Sequence, residues 1–236
     1  MSSSRTVLIT GAGQGIGLEW VRQEAADGAT VIATAREPDE STGLEAAMRE
    51  RPGKITVMRM DVTDQSSVDA CVREVTARHP ALDDLINNAG TYGPRDDRGL
   101  GVDPSHVDRV LAVNAVGPYR VTRGFLPLLR RGRSPRILFV TSRMGSIGDS
   151  PSGAAYGYRM SKAALNMLGA NLARDLREEG VLCLLLHPGW VRTRMGGTRA
   201  SVPVADAVAG MRRVAGRAGL THSGAFLDYT GAIVPF

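Results

Sequence analysis

The stretch TGAGQGIG at 10–17 constrains the fold more than any other part of the chain. It follows TVLIT at 6–10, a β-branched and aliphatic run, and opens an amphipathic stretch at 15–27. Strand, glycine turn and helix in that order bring backbone N–H groups together at a helix N-terminus, where the dipole end is positive. Glycine admits backbone angles closed to other residues and lets an anionic group approach the chain. The spacing is not G-x-G-x-x-G, because Ile16 stands where that pattern needs its third glycine. It is T-G-x-x-x-G-I-G, and with strand before and helix after it reads as a phosphate cradle rather than an incidental turn.

The rest of the chain repeats the unit. Strand candidates lie at 6–10, 30–35, 55–60, 84–87, 137–141, 181–186 and 225–228. Helix candidates lie at 15–27, 41–50, 64–78, 104–130, 155–179 and 203–217. VLCLLL at 181–186 is continuously apolar, as a strand covered on both faces requires. Strands alternating with helices close right-handed βαβ units around a parallel sheet. The expected fold is α/β: one domain over residues 1–236, a Rossmann-type doubly wound sheet of about seven mainly parallel strands with helices on both faces. No linker or repeat divides it. The glycine loop places the cofactor half at about 1–135 and the catalytic and substrate half at about 136–236. Ligands of such sheets bind beyond the carboxyl ends of the strands, which is where the remaining motifs fall.

Composition excludes little. The net charge is +5, but the basic residues are scattered and no recognition motif accompanies them, so no nucleic-acid partner is expected. Cys71 and Cys183 lack metal-ligand spacing, so reduced thiols, no metal and a cytoplasmic location are expected. The start, MSSSRTVLIT, has no long apolar region, and no run is long enough to span a membrane.

The dinucleotide is expected to be NADP(H) rather than NAD(H). An NAD site usually has an acid at the end of the second strand for the ribose hydroxyl. Here that strand runs into Thr34-Ala35-Arg36, and Arg36 offers a guanidinium fork for a 2′-phosphate. Asp61, closing strand three, is placed to accept from the adenine amino group or to cap the helix at 64–78. Asn87-Asn88-Ala89-Gly90 closes strand four with small residues suited to the adenine-ribose side.

Only two of the 29 basic residues are lysines, Lys54 and Lys162. Lys162 stands four residues after Tyr158 in a helix candidate, so the two share a face. A phenol near pKa 10 is a poor acid or base at neutral pH, and a nearby cation lowers that value. A compact ammonium can do this while holding a ribose hydroxyl; a broad guanidinium fork cannot.

At this point the chain resembles the short-chain dehydrogenase/reductase family over nearly its whole length. The resemblance rests on TGAGQGIG, Asp61, NNAG at 87–90, Asn114, Ser142, YRMSK at 158–162 and HPGWVRT at 187–193, in that order. It implies that Tyr158 is the general acid/base, that Lys162 lowers its pKa and binds the nicotinamide ribose, that Ser142 holds the carbonyl oxygen, and that Asn114 supports a water. It implies cofactor contacts from Gly11, Gln14, Gly15, Ile16, Gly17, Arg36, Asp61, Val62, Asn88, Ala89, Gly90, Tyr158, Lys162, Pro188, Gly189, Val191 and Thr193. Substrate contacts fall to Tyr92, Arg143, Met144, Tyr156, Trp190 and Arg194. Ser146 rivals Ser142, which lies sixteen residues before Tyr158 and so implies a small loop insertion. ATAREP at 33–38 and HPGWVRTRMGG at 187–197 resemble the C-factor and sniffer-like carbonyl reductases. Arg194 departs from that branch, which usually has an aspartate there.

The expected activity is NADP(H)-dependent hydride transfer to or from a small carbonyl or alcohol, with the loop near 189–205 folding over the substrate. The alternatives are a non-redox member of the family (dehydratase, epimerase or isomerase) and an NADP(H)-binding sensor. A homodimer or homotetramer is expected, through helices 104–130 and 155–179.

Overall fold

The computed structural model describes residues 4–94, 99–150 and 152–236. Residues 1–3, part of the start read as leaderless, lie outside it. Seven strands form one sheet: β1 (Thr6–Ile9), β2 (Thr30–Ala35), β3 (Ile55–Arg59), β4 (Asp84–Asn87), β5 (Arg136–Val140), β6 (Leu182–His187) and β7 (Phe226–Asp228). Their spatial order is β3-β2-β1-β4-β5-β6-β7, and all six strand pairs are parallel. The chain reverses direction across the sheet between β1 and β4, the switch point at which doubly wound sheets open a crevice.

Helices cover both faces. α1 (Gly15–Ala26), α2 (Thr42–Glu50) and α7 (Val204–Arg217) pack on one side. α3 (Gln65–Arg78), α4 (Pro104–Leu111), α5 (Gly117–Leu129) and α6 (Tyr156–Asp175) pack on the other. Each face buries aliphatic side chains against the strands, among them Val31 and Leu184 on one and Leu8 and Leu185 on the other. Each fully buried side chain of this size contributes about 1.5–3 kcal/mol. Phe125, Phe139, Phe226 and Trp20 are the bulky exceptions in an aliphatic core.

Besides shifts at other element ends, among them the helix expected over 155–179 that stops at Asp175, two differences from the sequence expectation bear on the site. The helix expected over 104–130 is interrupted by a π-helical turn at Ala112–Val116, where the Gly117 N–H bonds to Ala112 O, five residues back. One extra residue in the turn leaves the apolar pattern of both flanking helices readable, which hides the interruption from periodicity. The sixth strand runs one residue further than expected, so His187 belongs to the sheet edge. Val181 and Leu182 are buried at its start, as its apolar run demands. Among the described residues no helix is long and apolar enough to cross a membrane.

Candidate active site

The glycine loop is shaped by contacts that leave no room for side chains. Gly11 has φ +63°, and a Cβ there would lie 2.7 Å from Ala89 Cα. A Cβ on Gly17 would collide with Gly11 O and Asn88 Nδ2. The loop is pinned to the end of β4: Asn88 Nδ2 donates to Thr10 O at 2.8 Å and to Gly11 O at 3.1 Å, and the Ala89 N–H donates to Thr10 Oγ1 at 2.9 Å. Thus NNAG holds the loop as well as lining it. Ile16 packs on the far side against Val191 and Val202, and Gly15 faces Thr193, whose Cγ2 a Cβ would approach to 3.4 Å. The fold therefore brings the first loop and the loop after β6 together.

α2, α3 and α4 open with side-chain caps from Ser41, Asp64 and Asp103. α1 has none: Gln14 makes no cap bond, and no acid stands in the first turn. Its N–H groups are left to an anion. Arg36 is exposed just past β2, with no carboxylate partner among the described residues. Ser41 Oγ, which caps α2, also donates to Gly13 O at 2.7 Å and ties the β2–α2 loop to the glycine loop. Asp61 is not the cap of α3. Its Oδ1 accepts from the Thr63 N–H and hydroxyl at 2.8 and 2.7 Å, closing the turn after β3. Val62 is buried, its side chain against Gly117.

Tyr158 and Lys162 lie on the inner face of α6, 8% and 5% exposed. Lys162 Nζ donates to Val140 O at 2.9 Å and stands 5.7 Å from the Tyr158 ring centroid. That is its single hydrogen bond among the described residues. Two N–H groups of a buried ammonium are left for other acceptors, and burial pushes its pKa down to about 8. Tyr158 goes the other way. Burial raises its pKa to about 12, and Tyr92 adds to the rise; a hydrogen bond with the Ser142 side chain opposes it. The sequence suggests a phenol lowered by its lysine. In the protein alone, loss of water around the phenolate is the largest influence, and the Lys162 hydrogen bond goes to a strand carbonyl. The phenol therefore stays protonated at neutral pH.

Ser142 follows β5 and opens a tight turn over Arg143–Gly145, accepting the Met144 N–H at 3.2 Å. Ser146 Oγ accepts the Asp149 N–H at 2.8 Å and shapes the following loop. Gly145 lies against the α6 backbone, where a Cβ would meet the Lys162 carbonyl carbon at 2.6 Å. Asn166 completes this contact, donating to Gly145 O at 3.3 Å while its Oδ1 accepts from Thr141 Oγ1 at 2.6 Å. The sequence reading missed Asn166, although Tyr158, Lys162 and Asn166 are spaced four apart on one face.

Asn114 sits in the π-helical turn, fully buried. Its amide is consumed by the protein: Oδ1 accepts the Thr91 N–H at 2.8 Å, and Nδ2 donates to Thr91 O at 2.8 Å and to Ser161 Oγ at 2.9 Å. π-Helical turns frequently occur at functional sites because they redirect such groups.

Of the residues assigned to substrate, Tyr92 stacks on Tyr158 with ring centroids 4.8 Å apart. Met144 belongs to the serine turn, and Tyr156 is half exposed at the start of α6. Trp190 is exposed, its Nε1 donating to Gly196 O at 2.9 Å, so the loop after β6 is folded on itself. Pro188 is buried, and Gly189 takes φ +82° beneath Tyr229. Arg143 turns to Asp149 at 3.4 Å and Asp228 at 4.0 Å. Arg194 is exposed on the loop. Two further features escaped the sequence reading. Ala154 and Ala155 both have positive φ, at 66° and 50°, just before α6. Arg159 clasps that segment through Ala154 O, Ser150 Oγ and Ser152 Oγ. Non-glycine residues with positive φ are costly and collect at functional sites.

The donor set fits a dinucleotide on three independent counts: an uncapped α1, an arginine fork at the end of β2, and a buried ammonium short of acceptors. No cluster of three or more His, Cys, Asp or Glu suited to a metal occurs among the described residues.

A family model of the short chain dehydrogenases matches residues 5–202. The chain is 50% identical to the C-signal protein of Myxococcus xanthus over 155 residues, 66% of this chain and 93% of that one. It is 39% identical to a 1-hydroxy-2-glutathionyl-2-methyl-3-butene dehydrogenase of Rhodococcus sp. strain AD45, covering 80% of this chain and 78% of that one. Among solved structures, the NADPH-bound carbonyl reductase from chicken fatty liver superposes with a TM-score of 0.92 at 34% identity, covering 99% and 94% of the two chains. The carbonyl reductase Sniffer of D. melanogaster also reaches 0.92, at 28% identity, covering 99% and 100%. With this match across most of its length, the chain belongs to the short chain dehydrogenase family of oxidoreductases.

Proposed function

We propose that the protein is an NADP(H)-dependent reductase of small carbonyl compounds. The observation that carries this is the buried Tyr158 phenol with the Lys162 ammonium over its ring, an ammonium that has one protein acceptor, beside the buried Ser142. Carbonyl reductases of the same fold that carry bound NADPH or NADP support it. When bound, the nicotinamide cofactor supplies the hydride. The chain does the rest. Lys162 holds ribose hydroxyls with its two remaining N–H groups, and the α1 N-terminus and Gly11–Gly17 loop take the pyrophosphate. Arg36 pairs with the 2′-phosphate. The Ser142 hydroxyl orients the carbonyl oxygen. Tyr158, kept protonated by burial, gives that oxygen its proton as negative charge develops there. Tyr92 and Trp190 flank the cleft with aromatic faces. The exposed Val116 before α5, Tyr119 on α5, and Met160 and Met167 on α6 suit a second copy of the chain.

The test is Tyr158→Phe. Turnover is expected to fall by about 10² to 10⁴ while NADPH affinity, read by fluorescence titration, stays within about twofold. Turnover close to that of the native protein would remove Tyr158 from the chemistry.

A further inference from the structure

We propose that His187 is a positioning residue for Ser142: its Nδ1 accepts the Arg143 amide proton and so fixes the turn that aims the serine hydroxyl at Tyr158. This rests on the role given to Ser142 above. β5 and β6 pair in register up to Val140 and Leu186, and the Thr141 N–H still bonds to Leu186 O at 2.9 Å. One step further the strand ladder stops and a side chain takes over. The Arg143 N–H lies 3.3 Å from His187 Nδ1, its one hydrogen bond among the described residues.

That bond dictates the imidazole's state. Nδ1 must carry the lone pair, so the proton sits on Nε2 and the ring is neutral. The surroundings keep it so. Burial is the largest influence and the Arg143 guanidinium the next, both lowering the pKa; Asp228 on β7 opposes them, and the value falls to about 4. Asp149 faces the group only through Arg143. The ring therefore remains an acceptor across the physiological range.

The turn is gripped from two sides. α6 holds its far end, through Asn166 on Gly145 O and the close approach of Gly145 to Lys162. β6 holds the residue next to Ser142 through His187. An apolar side chain at 187 would fill the space but leave the Arg143 N–H without its acceptor, freeing the serine end of the turn. A shift of about 1 Å at a reacting group costs up to about a hundredfold in rate.

The experiment is a double-mutant cycle of His187→Leu with Ser142→Ala, followed by NADPH oxidation and by NADPH binding. In the native background His187→Leu is expected to lower kcat about tenfold to a hundredfold, with NADPH affinity unchanged within about twofold. In the Ser142→Ala background it should cost less than about twofold, since the group it positions is gone. The same loss in both backgrounds, or no loss in the native one, would overturn the proposal. Near-native turnover of Ser142→Ala alone would instead overturn the reading beneath it. Should the leucine variant not fold, His187→Asn and His187→Gln decide. Asparagine sets an acceptor near the Nδ1 position and should keep most of kcat; glutamine sets it one bond further out and should not. Equal turnover of the two would sink the idea.

Discussion

The two edges of the sheet treat buried charge in opposite ways. At the amino edge, Asp84 is 1% exposed and receives four hydrogen bonds, from Arg5 before β1 and Arg136 at the start of β5. Asp83 beside it accepts the Thr6 and Arg133 backbone N–H groups. Burial pushes the Asp84 carboxyl up, but Arg136 and Arg5 outweigh it and hold the pKa below its ordinary value. At the carboxyl edge, Lys162 has one carbonyl, the phenol is held protonated, and α1 opens without a cap. One edge saturates its charges and ties three strands together. The other leaves donors unsatisfied, at a cost in stability, so that a ligand can complete them.

Breaking the amino edge should have the largest effect on stability. Asp84→Asn leaves two arginines around a neutral amide and is expected to destabilise the fold by about 3 kcal/mol, measured by urea denaturation at neutral pH. The kcat of the folded enzyme should hardly change. The native contribution is present above the unfolded carboxyl's pKa and is lost as pH falls below about 4. An Asp84→Asn protein as stable as the native one would mean that the ion cluster is ornamental.

Next is Arg36→Ala, which removes the cation proposed for the 2′-phosphate. It should weaken NADPH binding about tenfold, leave NADH binding unchanged, and cost almost no stability. An equal effect on both cofactors would place Arg36 elsewhere.

Lys162→Met sharpens the contrast with the smallest shift. It should abolish turnover yet raise the stability of the cofactor-free protein by about 1 kcal/mol at pH 7, because it removes a buried, under-paired charge. The sign follows from the depressed pKa. Between about 8 and the ordinary lysine value the unfolded chain holds the proton that the folded chain has released, so native stability rises with pH there. The methionine variant should lack that slope in thermal melts. A methionine variant less stable at pH 7 would show that the ammonium is well solvated within the fold.

How much of this was legible follows the same division. The glycine loop, the Tyr158–Lys162 pair and the parallel sheet are written in local pattern: strand, turn chemistry, and a four-residue helical spacing. What tertiary packing decides was not legible. Nothing local marks the π-helical turn at Ala112–Val116, because one inserted residue barely disturbs the apolar face. Asn166 reads as an ordinary helix residue, and His187 only as the first residue of HPGWVRT, until the Ser142 turn lies between them. The direction of the Tyr158 shift depends on how deeply α6 is buried, which no spacing reveals. The Asp84 cluster joins residues 79 and 52 positions apart, out of reach of any motif.

The central claim is that the unsaturated carboxyl edge is completed by NADPH and then reduces a carbonyl. The direct measurement is NADPH oxidation by the purified protein against α-diketones, isatin-like ketones, quinones and aldehydes, with NADH in parallel and Tyr158→Phe as control. The account predicts turnover with NADPH, little with NADH, and turnover lower by about 10² to 10⁴ with the phenylalanine variant. Tight NADPH binding without turnover of any of these carbonyls, or near-native turnover in Tyr158→Phe, would contradict it.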